Sequence, residues 1–337
     1  MVPSVFITGI GHELPKEKIN NDFFEELNIG SSSSWILDRT GIAHRYSVLS
    51  KQNIIDLRHD RTSYLKLRSD NLIPSIASLS STPWKKALSV AYPSCQDDFQ
   101  PDVLISGTSV PDYDIPANAS SIARELNFSS LCFDVNSACS SFLSGLLVAD
   151  SLLKSGNYQN ASIFNVERYS TRMNYKHKNN CVLFGDGATA CLLETGSRQG
   201  LKIKDIVVKS DASGLDAVLI PYGSYFSQEG AKVQKFAVTK TCEMTKHIME
   251  RNKLKAADIR YFVGHQANYR MLQSVVDKLG FDEEQHLYNV HKYGNQGAAG
   301  AVSVLAENFG VFQKGDLVLL TVVGAGLTWG GVLFEKV

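Results

Sequence analysis

Short runs of β-branched and other apolar residues alternate along the chain with longer segments of helical period. Val103-Leu104-Ile105-Ser106, Cys132-Phe133-Asp134-Val135, Ala161-Ser162-Ile163-Phe164-Asn165 and the run from Leu317 to Val323 read as buried strands. Apolar positions at helical spacing mark residues 116–126, 140–154, 236–252, 268–279 and 298–309. This alternation predicts an α/β protein whose helices cover a mixed sheet. The start of the chain, Met1 to Gly9, lacks a basic region and reads as a first strand, not a signal peptide. Gly196-Ser197-Arg198-Gln199-Gly200 is the expected junction between two halves, residues 1–198 and 199–337, because Leu201 to Val208 alternates like a new strand. Residues 46–100 are the least regular. Lys51 to Arg68 mixes five basic residues with two acids and one His, the composition of a solvated helix or loop. The Ser-rich piece from Ser75 to Pro83 reads as a loop leading to a helix at Trp84. No tandem repeat is visible.

Composition narrows the function classes. The chain has 337 residues, of which 44% are hydrophobic and 20% charged, which excludes a disordered chain. The 34 Lys+Arg balance 34 Asp+Glu, so a general nucleic-acid binder is not expected. No segment approaches the roughly 20 apolar residues of a membrane span. Six cysteines without a CxxC pair argue against metal binding and against a disulfide scaffold, and point to reduced thiols in a cytoplasmic enzyme.

One cysteine stands apart. In the segment from Phe133 to Leu143 a short strand ends near Val135, small residues follow, and an apolar-striped helix runs on to Ser155-Gly156. Cys139 therefore sits at or just before a helix N-terminus. There the helix dipole is expected to favour the thiolate and lower the thiol pKa. A nucleophile and an inert buried thiol both fit Cys139 at this stage; Cys95, Cys132, Cys181, Cys191 and Cys242 read as packing residues. A nucleophilic cysteine needs proton-transfer or polarising partners. His265, in Gly264-His265-Gln266-Ala267-Asn268, follows a strand and opens a helix. Asn295, in Tyr293-Gly294-Asn295-Gln296-Gly297, precedes another helix, as a cap or as a functional amide. Gly324-Ala325-Gly326 allows close backbone approach to a ligand and is not a phosphate loop.

Together these segments resemble the β-ketoacyl-acyl-carrier-protein synthase III group of condensing enzymes in the thiolase superfamily. The likeness extends over nearly the whole chain. It rests on the run from Trp35 to Ile42, Asp134 to Phe142, Val182 to Ala188, Gly264 to Asn268, Tyr293-Gly294-Asn295 and Gly324 to Gly330. The resemblance implies a five-layered αβαβα fold from two duplicated βαβαβαββ halves, working as a homodimer. It implies a Cys139–His265–Asn295 triad and an oxyanion hole from the backbone N–H groups of Cys139 and Ala325. Trp35, Arg39, Arg172 and Asn268 would contact coenzyme A, and Arg270 would lie on the face that docks acyl carrier protein. No cofactor or metal is implied; coenzyme A or phosphopantetheine thioesters are substrates. Basic stretches at 235–255 and 168–178 would form a rim for an acidic carrier.

The sequence also departs from the family pattern. Ile115, in Asp114-Ile115-Pro116, stands where an aromatic residue is usual at the lip of the acyl pocket. Gln296-Gly297-Ala298-Ala299-Gly300 replaces a Thr-Ser-Ala-Ala-Ser turn, and Ser140-Ser141 replaces a small residue plus Gly. Residues 46–82 look like a longer, more polar insert. These changes lean toward secondary metabolism, where related synthases join two acyl chains as in α-pyrone or dialkylresorcinol formation. Other readings are a chain-initiating synthase of fatty-acid synthesis, plain acyl transfer from Cys139 to an alcohol or amine, a non-catalytic partner chain, and a cysteine hydrolase.

Overall fold

The computed structural model describes residues 2–94, 99–196 and 199–337. Cys95 and the junction residues Ser197 and Arg198 lie outside them. Nine strands form one mixed sheet: β1 Val5–Glu13, β2 Val103–Gly107, β3 Leu131–Asp134, β4 Asn160–Glu167, β5 Gly187–Thr195, β6 Leu201–Ser210, β7 Tyr261–Val263, β8 Leu317–Gly324 and β9 Thr328–Lys336. Their order is β7-β8-β9-β6-β1-β5-β4-β2-β3. The principal helices are α1 Ser33–Thr40, α2 Lys51–His59, α3 Ser63–Ser69, α4 Ile76–Ala91, α5 Asn118–Leu126, α6 Ser141–Lys154, α7 Gly230–Arg251, α8 Tyr269–Leu279 and α9 Ala298–Asn308.

The pairing pattern occurs twice. In the first half β1 pairs antiparallel with β5, β5 antiparallel with β4, and β4 parallel with β2, which pairs parallel with β3. In the second half β6 pairs antiparallel with β9, β9 antiparallel with β8, and β8 parallel with β7. A parallel bridge from Phe262 to His286 stands where the fifth strand would be. The halves join where Phe6 and Ile7 of β1 pair antiparallel with Lys202 and Leu201 of β6.

Helices complete five layers. Helices α4 and α5 cover the outer face of the first half, α7 and α8 that of the second, and α6 and α9 lie between. The central helices are apolar on most sides because both faces are covered. Phe142, Leu143, Leu146 and Leu153 of α6 and Val302, Val304 and Leu305 of α9 are buried in one cluster with strand residues of both halves. Each such side chain contributes about 1.5–3 kcal/mol relative to exposure.

Two sequence expectations change here. The Ser-rich stretch is helical: α4 begins at Ile76, with Ser75 accepting a hydrogen bond from the Ser78 N–H, and it carries Pro83 inside. Tertiary packing overrides the breaker signal, since Ile76, Ala77, Ser80, Pro83, Trp84, Ala87 and Leu88 are buried. The helix lies directly on the β1 backbone. A Cβ on Gly11 would sit 2.0 Å from the Pro83 carbonyl oxygen, and one on Gly9 2.2 Å from that of Ala87. Helix α7 starts at Gly230, ahead of the expected 236, and its added first turns carry Val233 into the lining of a cavity. The charged stretch from Lys51 forms the short α2 and α3, which bury Ile54, Leu57 and Leu67 and expose Lys51, His59 and Lys66.

The close contact between α4 and β1 sets a prediction. Gly11→Ala forces the helix off the strand and lowers stability by about 3 kcal/mol in urea unfolding. A loss under about 0.5 kcal/mol would contradict this packing.

Candidate active site

Cys139 lies in a tight turn, Ala138–Ser140, between β3 and α6. Ala138 has φ +51, a left-handed conformation that costs a non-glycine residue about 1–2 kcal/mol. Serines hold the turn. The Ser137 N–H donates to Ser141 Oγ at 3.0 Å, and the Ser137 and Ser144 hydroxyls meet at 2.7 Å. Buried Ser140 donates to the Ser137 carbonyl at 2.7 Å and stands 3.3 Å from that of Thr328 on β9. The Ser140-Ser141 departure therefore braces the nucleophile turn and ties it to the second half. On the other side, a Cβ on Gly324 would lie 2.3 Å from the Ser137 carbonyl oxygen and 2.6 Å from Ser140 Oγ. Only glycine permits that approach, which carries the Ala325 backbone alongside Cys139.

His265 follows β7, and Gln266 joins its loop to the Asn295 segment. Gln266 Oε1 accepts hydrogen bonds from the N–H groups of Asn289 and Val290, both at 3.1 Å, while its Nε2 donates to the Gly264 carbonyl at 2.8 Å. Asn295 is pinned by its backbone to Leu183 and Gly185 at 2.9 and 3.0 Å. Its Oδ1 accepts from the Gly297 N–H at 2.9 Å, which leaves the amide N–H groups as donors. Asn295 thus caps its own turn, and α9 begins after Gly297.

Cys139, His265, Asn295 and Ala325 line one cavity of about 260 Å³. Much of the remaining lining is apolar, including Leu219, Ile220, Phe226, Val233, Phe236 and Met271. The sulfur is buried, and burial works against the expected thiolate. Burial and the nearby Glu167 push the Cys139 thiol up to about 12, against the opposing hydrogen bonds of Tyr169 and of its own N–H. A helix terminus contributes about 0.3–1 kcal/mol. That is about one pKa unit at most, against a rise from 9.0 to about 12. Burial lowers His265 to about 4, so its imidazole is neutral at pH 7. Its Nδ1 is buried without a hydrogen-bond partner.

Three further groups surround the sulfur. Tyr169 Oη is 3.8 Å from Cys139 Sγ and donates to Ser109 Oγ at 2.8 Å. Ser109 in turn donates to Glu167 at 3.2 Å. Sequence reading passed over these residues. The available signal was a carboxylate, Glu167, closing a strand built around Ile163, Phe164 and Val166.

The other expected residues are dispersed. Trp35 is half-buried on α1, with Lys178 Nζ 4.3 Å from its ring centre, and Arg39 is exposed. Asn268 caps α8 by accepting from the Met271 N–H at 2.8 Å. Arg270 Nε donates to the Asp38 carbonyl at 2.9 Å and so joins α8 to α1. Arg172 does not reach the Cys139 cavity. Its side chain packs over Tyr64 and lines a second cavity, while its carbonyl accepts from the Phe226 N–H. Ile115 is corrected too: it is 85% exposed and lines that second cavity, so within this chain it forms no lip over Cys139. The space left by Gly297 is taken by Tyr169, whose ring would sit 2.5 Å from a Cβ there. Arg168 leaves the expected basic rim, because it is buried in an ion pair with Asp112 at 2.9 Å. Cys181 and Cys191 are buried packing residues, with Cys132 and Cys242 packed less deeply. No metal-binding cluster of His, Cys, Asp and Glu occurs among the described residues. No helix among them is long and apolar enough to cross a membrane.

The chain resembles known proteins over nearly its whole length. Residues 133–212 match the 3-oxoacyl-(acyl-carrier-protein) synthase III family model, and residues 249–336 match that family's C-terminal model. The chain is 33% identical to a β-ketoacyl-(acyl-carrier-protein) synthase III of Clostridium perfringens over 98% of both proteins. It is 30% identical to a Helicobacter pylori protein of the same name, covering 97% of this chain and 96% of that one. Among solved structures, 3-oxoacyl-(acyl-carrier-protein) synthase III from Aquifex aeolicus superposes with a TM-score of 0.86 at 29% identity, covering 98% of this chain and all of the other. The Pseudomonas aeruginosa enzyme gives 0.85 at 27% identity over 99% and 98%.

The protonated resting thiol is directly measurable. The ultraviolet thiolate absorbance of the protein, less that of Cys139→Ala, shows no step below about pH 9. A step centred near neutrality would contradict the burial account.

Proposed function

The chain belongs to the 3-oxoacyl-(acyl-carrier-protein) synthase III family of condensing acyltransferases, and from that premise we propose that Cys139 carries the acyl group of a Claisen condensation. The observation that carries the reading is the convergence of Cys139, His265 and Asn295 on one apolar cavity beside the Gly324–Gly326 turn. Cys139 attacks an acyl thioester and keeps the acyl group. A malonyl-type or β-ketoacyl thioester then enters. Neutral His265 and the Asn295 amide donate to its thioester carbonyl and stabilise the enolate formed by decarboxylation or deprotonation. The enolate attacks acyl-Cys139, while the N–H groups of Cys139 and Ala325 receive the developing oxyanion. Plain transfer to an alcohol or amine would not need two donors aimed at an enolate.

Substrates arrive on coenzyme A or acyl carrier protein in this reading. Supporting it, Ala267 and Met271 line the cavity at the start of α8, and Arg270 fastens α8 to the helix bearing Trp35 and Arg39. These residues and Asn268 then form the entrance, and the exposed cations Arg39 and Arg270 favour an acidic carrier. A homodimer is proposed through the face bearing Leu65, Tyr113, Ile115 and Tyr222, which are 68%, 53%, 85% and 89% exposed. We place the enzyme in the cytoplasm.

The cavity of about 260 Å³ and its largely apolar lining suit an acyl chain. The finer reading is chain joining in secondary metabolism, of the α-pyrone or dialkylresorcinol type. Its support is the altered turn after Asn295, Gln296-Gly297-Ala298-Ala299-Gly300. The alternative is chain initiation in fatty-acid synthesis.

The purified protein is incubated with acyl-coenzyme A donors of graded length, and its intact mass is read before and after extender is added. The expected result is one acyl adduct with medium-length donors, absent in Cys139→Ala and consumed by the extender. No adduct, or an adduct that survives Cys139→Ala, would overturn the condensing reading. A strict preference for acetyl donors with malonyl carrier protein would overturn chain joining.

A further inference from the structure

We infer that Glu167 stores the Cys139 thiol proton while the acyl group occupies the sulfur, with Tyr169 and Ser109 relaying it in both directions. This rests on Cys139 being the acyl carrier of the proposed reaction.

The hydroxyls form an unbroken path. Tyr169 Oη lies 3.8 Å from Cys139 Sγ, Tyr169 donates to Ser109 Oγ at 2.8 Å, and Ser109 donates to Glu167 Oε1 at 3.2 Å. The Tyr169 and Ser109 hydroxyls both donate toward the carboxylate, while in the Cys139–Tyr169 contact either group can be the donor, so a proton can cross it in either direction. The path is also kept clear: a Cβ on Gly297, at φ +55, would lie 2.5 Å from the Tyr169 ring and 2.8 Å from Glu167 Oε1.

Glu167 is suited to the role by its surroundings. It is fully buried, and its oxygens accept from the N–H groups of Ser109 and Ala298 at 3.0 and 3.2 Å and face the Thr108 hydroxyl at 3.4 Å. The titratable groups facing it are Tyr169, from the turn after β4, and Cys139, from the turn before α6. The loop after β2 and the start of α9 bring only neutral donors, and no salt bridge reaches Glu167 among the described residues. Burial without a counter-cation raises its carboxyl to about 8 despite four donor hydrogen bonds, so it exchanges a proton near neutrality. Neutral His265, held at about 4, is a poor acceptor for the same proton. The Tyr169 phenol stays protonated, raised by burial and by both neighbours.

The transfer balances. As the sulfur forms its bond to the acyl carbon, the thiol proton passes to Tyr169, the Tyr169 proton to Ser109 and the Ser109 proton to the Glu167 carboxylate. The donor's carbon–sulfur bond breaks, and its electron pair leaves on the departing thiolate, which takes a proton from water. In condensation the enolate carbon bonds the acyl carbon and the bond to Cys139 breaks with its pair on sulfur. The stored proton then returns along the same hydroxyls.

The test compares Tyr169→Phe and Glu167→Gln, which keep shape, with wild type. Ser109→Ala, at a half-buried position, serves should either fail to fold. Two rates are read across a pH series: alkylation of Cys139 by iodoacetamide without substrate, and single-turnover acyl transfer by intact mass. Each variant is expected to slow both rates about 100-fold at neutral pH. The double variant should be no slower than the singles, because the groups act as a unit. The wild-type rates should rise through about pH 8 with deprotonation of Glu167, and this inflection should vanish in Glu167→Gln. Wild-type rates and an unchanged pH profile in Tyr169→Phe would overturn the relay. Alkylation that depends on Tyr169 and Glu167 in a protein that accepts no acyl donor would support the relay and overturn the condensing reading.

Discussion

The site depends on one close contact between the duplicated halves. Gly324, at the end of β8, lies against the turn that presents Cys139, where a Cβ would stand 2.3 Å from the Ser137 carbonyl oxygen. A side chain there would push the halves apart at the point where the chemistry is assembled. With glycine in place, the nucleophile turn of the first half meets the Ala325 backbone of the second, and Ser140 reaches across to the Thr328 carbonyl on β9. The shared central layer of α6 and α9 fixes the rest of the approach, since its buried residues belong to one cluster with strands of both halves.

Burial then sets the protonation states. The same packing that closes the cavity keeps the Cys139 thiol protonated and the His265 imidazole neutral. A dry site strengthens hydrogen bonds to an enolate and makes unpaired charge costly. Neutral donors are therefore what the proposed condensation step needs, while the proposed acyl loading requires somewhere for a proton to go. In the inferred relay, the hydrogen-bonded path to Glu167 meets that requirement.

Much of this was legible in the sequence, and the exceptions have physical reasons. Strands such as Val103–Gly107 and Leu317–Gly324 are continuous apolar runs because both faces are covered, so they stood out. The positions of Cys139, His265 and Asn295 at strand and turn ends followed from local patterns and family motifs. Helix α4 was missed because its Ser-rich start and Pro83 read as breakers, while its stability comes from lying on Gly9 and Gly11 of β1, a contact no local window contains. The upward shift of the thiol was not legible because a helix terminus is visible locally and desolvation is not. Ile115 and Arg172 follow family positions, yet a single chain places them on a second cavity. Glu167 and Tyr169 became a feature only when Ser109, 58 residues from Glu167, was brought between them.

The most direct test separates the two half-reactions. Acyl-Cys139 enzyme is prepared first, malonyl carrier protein is added, and carbon dioxide and β-ketoacyl product are followed in one turnover. The account predicts that His265→Ala and Asn295→Ala still take the acyl group, while carbon dioxide release and carbon–carbon bond formation fall together by about 100- to 1000-fold. Release of carbon dioxide and formation of product at wild-type rates in both variants would contradict the account.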